Sequence, residues 1–275
     1  MGKKDFQSIY DNLTYGLARY GRENGIKSMV LGISGGIDST VTAVIANAAC
    51  AELGIPLIGI SLPSSTNLDD ETSAAKLVGG AFCTKFDEVS INHLYAYTES
   101  FLVGIAGRKK KKKIAKGNIK ARLRMMTLYH IASISGGIVL DTDNRTEHFT
   151  GFFTVHGDEG DIGVLRDLDK TTIFEFANWL VNESEILTHE QRVAVQTSMS
   201  LNPTDGNGVG CDLEQFGLST YEEVDAVVNG EETEKVGNIL KLHEKTWYKR
   251  LPRPFYIGTD GISFDGSGNA IIKIG

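Results

Sequence analysis

Three features of the sequence predict an α/β fold, a Rossmann-like parallel sheet flanked by helices. Short apolar runs alternate with helix-patterned stretches along most of the chain. A glycine-rich turn joins the first apolar run to an alanine-rich segment. Hydrophobic residues make up 41% of the 275 positions against 23% charged, which is ordinary globular composition with enough chain to bury one large core. We expect a main domain over residues 1–254 and a short C-terminal extension over 255–275.

Phe6, Ile9, Tyr10, Leu13, Leu17 and Tyr20 recur at helical spacing, and Glu23-Asn24-Gly25 stops that helix. Residues 28–33 form an apolar strand that runs into Ser34-Gly35-Gly36-Ile37-Asp38-Ser39, and residues 40–53 read as a helix. The cycle repeats with a strand at 56–62, a helix at 69–78, a strand at 82–86 and a helical stretch after Ser90. A helix over 117–133 carries Arg122 and Arg124, and a strand at 137–140 opens into Asp141-Thr142-Asp143. Helices are expected at 171–181 and 220–229, with a glycine-bearing loop at 202–217 suited to act as a lid. Residues 262–264 and 270–274, around Asp265-Gly266-Ser267-Gly268, predict a short β-hairpin.

Composition narrows the function classes. A net charge of -7 disfavours a general polyanion binder, and the basic run at 108–113 reads first as a solvated loop and second as a local phosphate contact. Cys50, Cys83 and Cys211 form no Cys-x-x-Cys pair, against a disulfide framework, a structural zinc site or a sulfur relay. No stretch reaches the roughly 18 apolar residues of a membrane span, so a cytoplasmic location is expected.

The turn between the first strand and its helix carries the chemistry. Backbone N–H groups at the helix start and the hydroxyls of Ser34 and Ser39 converge on a point that suits a phosphate chain. Gly35 and Gly36 allow close backbone approach, and Asp38 is a hard oxygen ligand suited to magnesium beside phosphates. Neither the lysine-bearing phosphate loop nor the Gly-x-Gly-x-x-Gly dinucleotide fingerprint is present. Two glycines alone would fit a plain tight turn equally well; the full string in this setting does not.

The stretch Gly32, Ile33, Ser34, Gly35, Gly36, Ile37, Asp38, Ser39 resembles the PP-loop of the ATP pyrophosphatases, whose fold is adenine-nucleotide alpha-hydrolase-like. Gly117-Asn118-Ile119-Lys120-Ala121-Arg122, Thr142-Asp143-Asn144-Arg145-Thr146-Glu147, Thr150-Gly151-Phe152-Phe153-Thr154 and Gly157-Asp158-Glu159-Gly160-Asp161 follow in the order NAD synthetases show. Weaker matches include Asp69-Asp70-Glu71, Lys170, Pro203-Thr204, Tyr221-Glu222-Glu223-Val224-Asp225 and Lys249-Arg250. The similarity covers roughly residues 5–254.

The resemblance implies an ammonia-dependent NAD synthetase, a homodimer that adenylates deamido-NAD with ATP and opens the adenylate with ammonia, giving NAD, AMP and pyrophosphate. It assigns Mg2+ to Asp38 and Glu147, and ATP to residues 32–39 with Thr142, Lys170 and Thr204. The dinucleotide falls to Arg122, Asp161, Tyr248 and Lys249, and the catalytic handling of ammonium to Asp158. No glutaminase portion is recognised, so free ammonia is the expected donor, with an ammonia-supplying partner subunit left open.

The chain departs from the family pattern in places. Val155-His156 replaces Lys-Tyr, Tyr248 stands where many members have His, Ile114 replaces an aromatic, and Asp141 replaces the Gly before Thr142. The missing lysine removes a charge-assisted contact worth about 1.5–3 kcal/mol unless His156 or a lysine of 109–113 takes its place. Asp141 adds negative charge near the ATP site. Two alternatives stand beside the ligase: a tRNA-modifying ATP pyrophosphatase, with nucleic acid disfavoured by the acidic charge and missing Cys pair, and a degenerate nucleotide binder without turnover.

Overall fold

Met29 and Leu31 pack into one apolar cluster and Val30, between them, into a second, and all three are fully buried. The same alternation recurs in the neighbouring strands: Leu57 against Ile58 and Ile60, and Ile138 and Leu140 against Val139. A sheet buried on both faces in this way needs helices on both sides. The computed structural model describes residues 4–106, 113–202, 213, 220–231 and 236–250, and the strand backbone at 256–257, 262–264 and 270–273.

In chain order the elements are α1 (Phe6–Glu23), β1 (Met29–Gly32), α2 (Ile37–Leu53), β2 (Leu57–Ser61), α3 (Asp69–Phe82), β3 (Lys85–Glu88), α4 (Asn92–Ala106) and α5 (Lys113–Ser135). There follow β4 (Ile138–Asp141), α6 (Arg145–Thr150), β5 (Ile162–Gly163), α7 (Lys170–Asn182), α8 (His189–Met199), α9 (Tyr221–Val228) and α10 (Val236–Lys245). The sheet is parallel throughout, in the order β3-β2-β1-β4-β5. The chain winds outward from β1 to one edge and then restarts at β4 on β1's other side. That reversal opens a crevice beyond the carboxyl ends of β1 and β4, where α/β proteins place ligands.

Alanines at positions 43, 46 and 49, all fully buried, let α2 lie close against the sheet and its helical neighbours. A third, smaller apolar cluster joins Val224, Val227 and Val228 of α9 to Ile239 of α10, with Phe149 and Phe152 against it. It binds the later helices to the segment that follows β4. The backbone of β6 (Tyr256–Ile257), β7 (Ile262–Phe264) and β8 (Ala270–Lys273) pairs antiparallel in the order β6-β7-β8.

One strand differs from expectation. The sequence places it at 82–86, whereas Phe82 ends α3 and β3 begins at Lys85. Gly79-Gly80 reads as a helix stop, but Gly79 is there for packing: a Cβ on it would lie 2.1 Å from Cδ2 of Phe86. The helix therefore runs on one more turn, carrying its apolar face from Ala74, Ala75 and Val78 to Phe82. The expected lid loop at 202–217 lies almost wholly outside the described residues, as do 108–112 of the basic run and Cys211.

Candidate active site

The crevice is a cavity of about 540 Å³. Gly32, Ile33, Ser34, Gly36, Ile37, Asp38 and Ser39 line it from the turn after β1, Thr142, Asp143 and Glu147 from the segment after β4, and Lys170 from the start of α7. Asp158 and Lys249 also reach it. Gly35 does not line it: its φ of +88° turns the residue onto α3, where a Cβ would meet the Glu71 carbonyl oxygen at 2.2 Å. Only glycine fits there.

The turn is cross-braced from within. The Ser34 and Ser39 hydroxyls stand 3.1 Å apart, Ser34 Oγ accepts the Gly36 N–H at 3.2 Å, and Ser39 Oγ donates to the Gly36 carbonyl at 3.0 Å. Gly36 is the N-cap of α2, and no side chain caps that terminus. A 17-residue helix thus presents its dipole and first-turn donors to the crevice, an arrangement that favours a phosphate chain.

Opposite the turn, Lys170 is only 4% exposed. Its ammonium contacts Asp38 Oδ2, lies 3.5 Å from Glu147 Oε1, and stands 5.5 Å from the centre of the Tyr221 ring. Asn144, fully buried, donates to Asp38 Oδ1 at 3.0 Å while its own oxygen caps α6 by accepting the Glu147 N–H at 2.9 Å. Asp38 and Glu147 are thereby fixed as neighbours although 109 positions separate their numbers, 147 less 38. Two carboxylates beside the turn after β1 fit what Mg2+ takes next to a phosphate ligand, one or two protein oxygens with the remainder from phosphates and water. Among the described residues no group of three or more acidic, histidine or cysteine side chains forms a self-contained metal cage.

Asp158 accepts the Thr154 N–H at 2.5 Å, and burial raises its carboxyl above the ordinary carboxylate range against the pull of that bond. Asp143 is 6% exposed, and its Oδ2 has no hydrogen-bond partner. Burial and then the charge of Asp141, reinforced by Glu147 and Asp158, push its carboxyl well above 3.8. Asp141 itself, at the end of β4, pairs with Arg166 at 2.7 Å and accepts the Asp143 N–H at 2.6 Å, so its added charge is matched beside the site.

The residues assigned to the dinucleotide are less concentrated. Arg122 donates from Nε and a terminal nitrogen to the Val155 carbonyl at 3.3 and 3.2 Å. Asp161 accepts the Val139 N–H at 2.8 Å and the Tyr129 hydroxyl at 3.2 Å. Neither they nor Tyr248, which is 49% exposed, line the cavity. Lys249 donates to the carbonyls of Gly151 at 2.7 Å and Phe153 at 2.5 Å, and Arg250 donates to that of Phe149 at 3.1 Å. Both act as cations at the C-terminal end of α6, where carbonyls lack helical partners. Thr204 lies outside the described residues.

Sequence reading missed Asn144 and underrated Arg124. The Asn144-x-x-Glu147 capping box was a legible signal for α6, since both halves of the box form. Arg124, given no site role from the sequence, lines the cavity and donates to the Leu62 carbonyl at 2.9 Å and Asn67 Oδ1 at 3.1 Å, which fixes the loop after β2. Cys50 and Cys83 are free thiols that burial pushes up to about 12, so they are inert.

A family model described as NAD synthase matches residues 9–252. The chain is 32% identical over 248 residues to the NH(3)-dependent NAD(+) synthetase of Finegoldia magna, covering 90% of this chain and 94% of that one. Its structure is similar to that of an NMN synthetase from Francisella tularensis, with a TM-score of 0.76 and 28% identity over 90% of this chain and 97% of the other. It also resembles a glutamine-dependent NAD+ synthetase from Acinetobacter baumannii solved with ADP. There the TM-score is 0.65 and the identity 25%, over 94% of this chain and 47% of the longer one.

Proposed function

The chain belongs to the NAD synthase family, and from that premise we propose that it uses ATP to amidate the nicotinate carboxylate of deamido-NAD with ammonia. The observation that carries this reading is the meeting of the uncapped α2 terminus, Asp38, Glu147 and Lys170 in one cavity.

A carboxylate is a poor acyl donor until an oxygen is made a leaving group. In the proposed first step that oxygen attacks the α-phosphorus of ATP and pyrophosphate leaves. The first turn of α2, Ser34 and Ser39 hold the phosphates, Thr142 and Thr204 are assigned to ATP, and Lys170 offsets the charge that develops on the phosphates. Mg2+ held by Asp38 and Glu147 would supply further charge neutralisation. In the second step ammonia adds to the acyl carbon of the adenylate and AMP departs. Asp158, whose carboxyl is raised toward the working range of a proton acceptor, takes the proton from ammonium or orients the amine. Arg122, Asp161, Tyr248 and Lys249 are assigned to the dinucleotide.

The reading includes a homodimer and a cytoplasmic location. Tyr97, Phe101 and Ile105 repeat every four residues along α4 and are 76%, 60% and 71% exposed. Exposed apolar stripes of this kind mark protein, membrane or ligand contacts, and a homodimer would cover this one. No helix among the described residues is long and apolar enough to cross a membrane.

The similarity to the NMN synthetase of Francisella tularensis gives one further substrate for comparison, the carboxylate form of NMN. Offering both carboxylates together with ATP, Mg2+ and ammonium, and resolving NAD from NMN by chromatography, tests the choice. NAD as the main product supports deamido-NAD as substrate; NMN as the main product contradicts it and assigns the mononucleotide.

A further inference from the structure

Asp225 lies outside the cavity, is 3% exposed, and has both carboxylate oxygens engaged. Oδ2 accepts the Thr171 N–H at 2.8 Å and Oδ1 accepts the Thr146 hydroxyl. The Thr146 oxygen, its proton given to Asp225, accepts the Lys170 N–H at 2.9 Å. One carboxylate on α9 thus determines where the first two N–H groups of α7 point, directly for Thr171 and through one hydroxyl for Lys170. At the other end of α9, Asn229 donates to Asp169 Oδ2 at 3.1 Å, and Asp169 is the N-cap of α7.

The same helix also supports the Lys170 side chain. Tyr221 precedes Asp225 by one turn, so both lie on one face of α9, and its ring lies 5.5 Å from the Lys170 ammonium that Asp38 and Glu147 also meet. A buried carboxylate costs solvation that an apolar residue of similar size would not. What Asp225 adds in return is registry: the tip of α7 is held to α6, the helix that carries Glu147. Asp225 does not itself line the cavity, so its influence on chemistry must pass through the residues it holds.

We propose that Asp225 is a positioning residue that acts on ATP through Lys170, by way of Thr146 and the first turn of α7. This rests on the proposed function, in which Lys170 meets ATP. The test is calorimetric ATP binding in the presence of Mg2+ to six forms: wild type, Asp225→Asn, Thr146→Val, Thr146→Ser, Lys170→Met and the Asp225→Asn/Lys170→Met double variant. Asp225→Asn and Thr146→Val weaken ATP binding about tenfold, within the range found for coupled neighbours. Thr146→Ser keeps the hydroxyl and binds as wild type does. The double variant binds no more weakly than Lys170→Met alone.

Equal losses from Asp225→Asn on the wild-type and Lys170→Met backgrounds would overturn the proposal, because the carboxylate would then act independently of the lysine. So would variants that lower the melting temperature and leave ATP affinity untouched. Should Asp225→Asn not fold, Thr146→Val, which conserves side-chain shape, carries the same comparison, paired with Thr146→Val/Lys170→Met. A wild-type protein that binds no ATP overturns the proposed function and this proposal together; additive variants of an ATP-binding protein overturn this one alone.

Discussion

Asp143 buries a carboxylate oxygen with no donor opposite it, an arrangement that costs on the order of 1–3 kcal/mol. Its raised carboxyl holds a proton to higher pH than an exposed one. A group raised in this way contributes stability below its ordinary value of 3.8 and loses it as pH rises through the higher folded-state value. Asp143→Asn carries no charge to bury. The variant should match wild type below the ordinary carboxylate value of 3.8 and melt progressively higher than wild type as pH rises above it, measured by thermal unfolding across that range. A difference that shrinks with rising pH would show that the carboxylate is satisfied. The turn after β1, most of which lines the cavity, was legible because its residues are contiguous, Ser34 to Ser39 in one string. Asn144 and Arg124 were not, because their partners Asp38 and Leu62 lie 106 and 62 positions away.

The turn between β1 and α2 depends on one backbone conformation. Gly35→Ala places a methyl against the Glu71 carbonyl of α3 at a φ of +88°, costing at least 1–2 kcal/mol from the left-handed conformation alone. Since the clash is with backbone, the turn must shift. ATP affinity is expected to fall by about tenfold or more, the equivalent of roughly 1.4 kcal/mol, in a protein whose circular dichroism is unchanged. Unaltered ATP affinity would contradict the role given to the turn. Helices with strong apolar periodicity or an alanine-rich stretch, α1 and α2, were readable from sequence. α6, α8 and α10 were passed over: α6 spans only six residues, the Thr188-x-x-Gln191 capping box that opens α8 stands before a weakly amphipathic stretch, and α10 was missed despite an apolar periodicity close to that of α1. At β3 a packing glycine imitated a stop signal.

At the scale of the molecule, the reversal of strand order between β1 and β4 makes the crevice, and the alternating pattern of strands and helices sufficed to foresee the sheet but not which strand would neighbour β1. Pairing is decided by tertiary packing rather than by any local signal. The stripe Tyr97, Phe101, Ile105 predicts the assembly: light scattering should give twice the chain mass for wild type and the single-chain mass for Phe101→Asp/Ile105→Asp. A wild-type monomer would contradict the dimer. Ammonia-dependent amidation through an adenylate is measured directly by an end-point assay with ATP, Mg2+, deamido-NAD and ammonium chloride, following NAD and AMP beside an Asp38→Ala control. NAD and AMP are expected in equal amounts, both absent from the control. ATP bound tightly with neither product formed would contradict it and leave a nucleotide-binding protein without turnover.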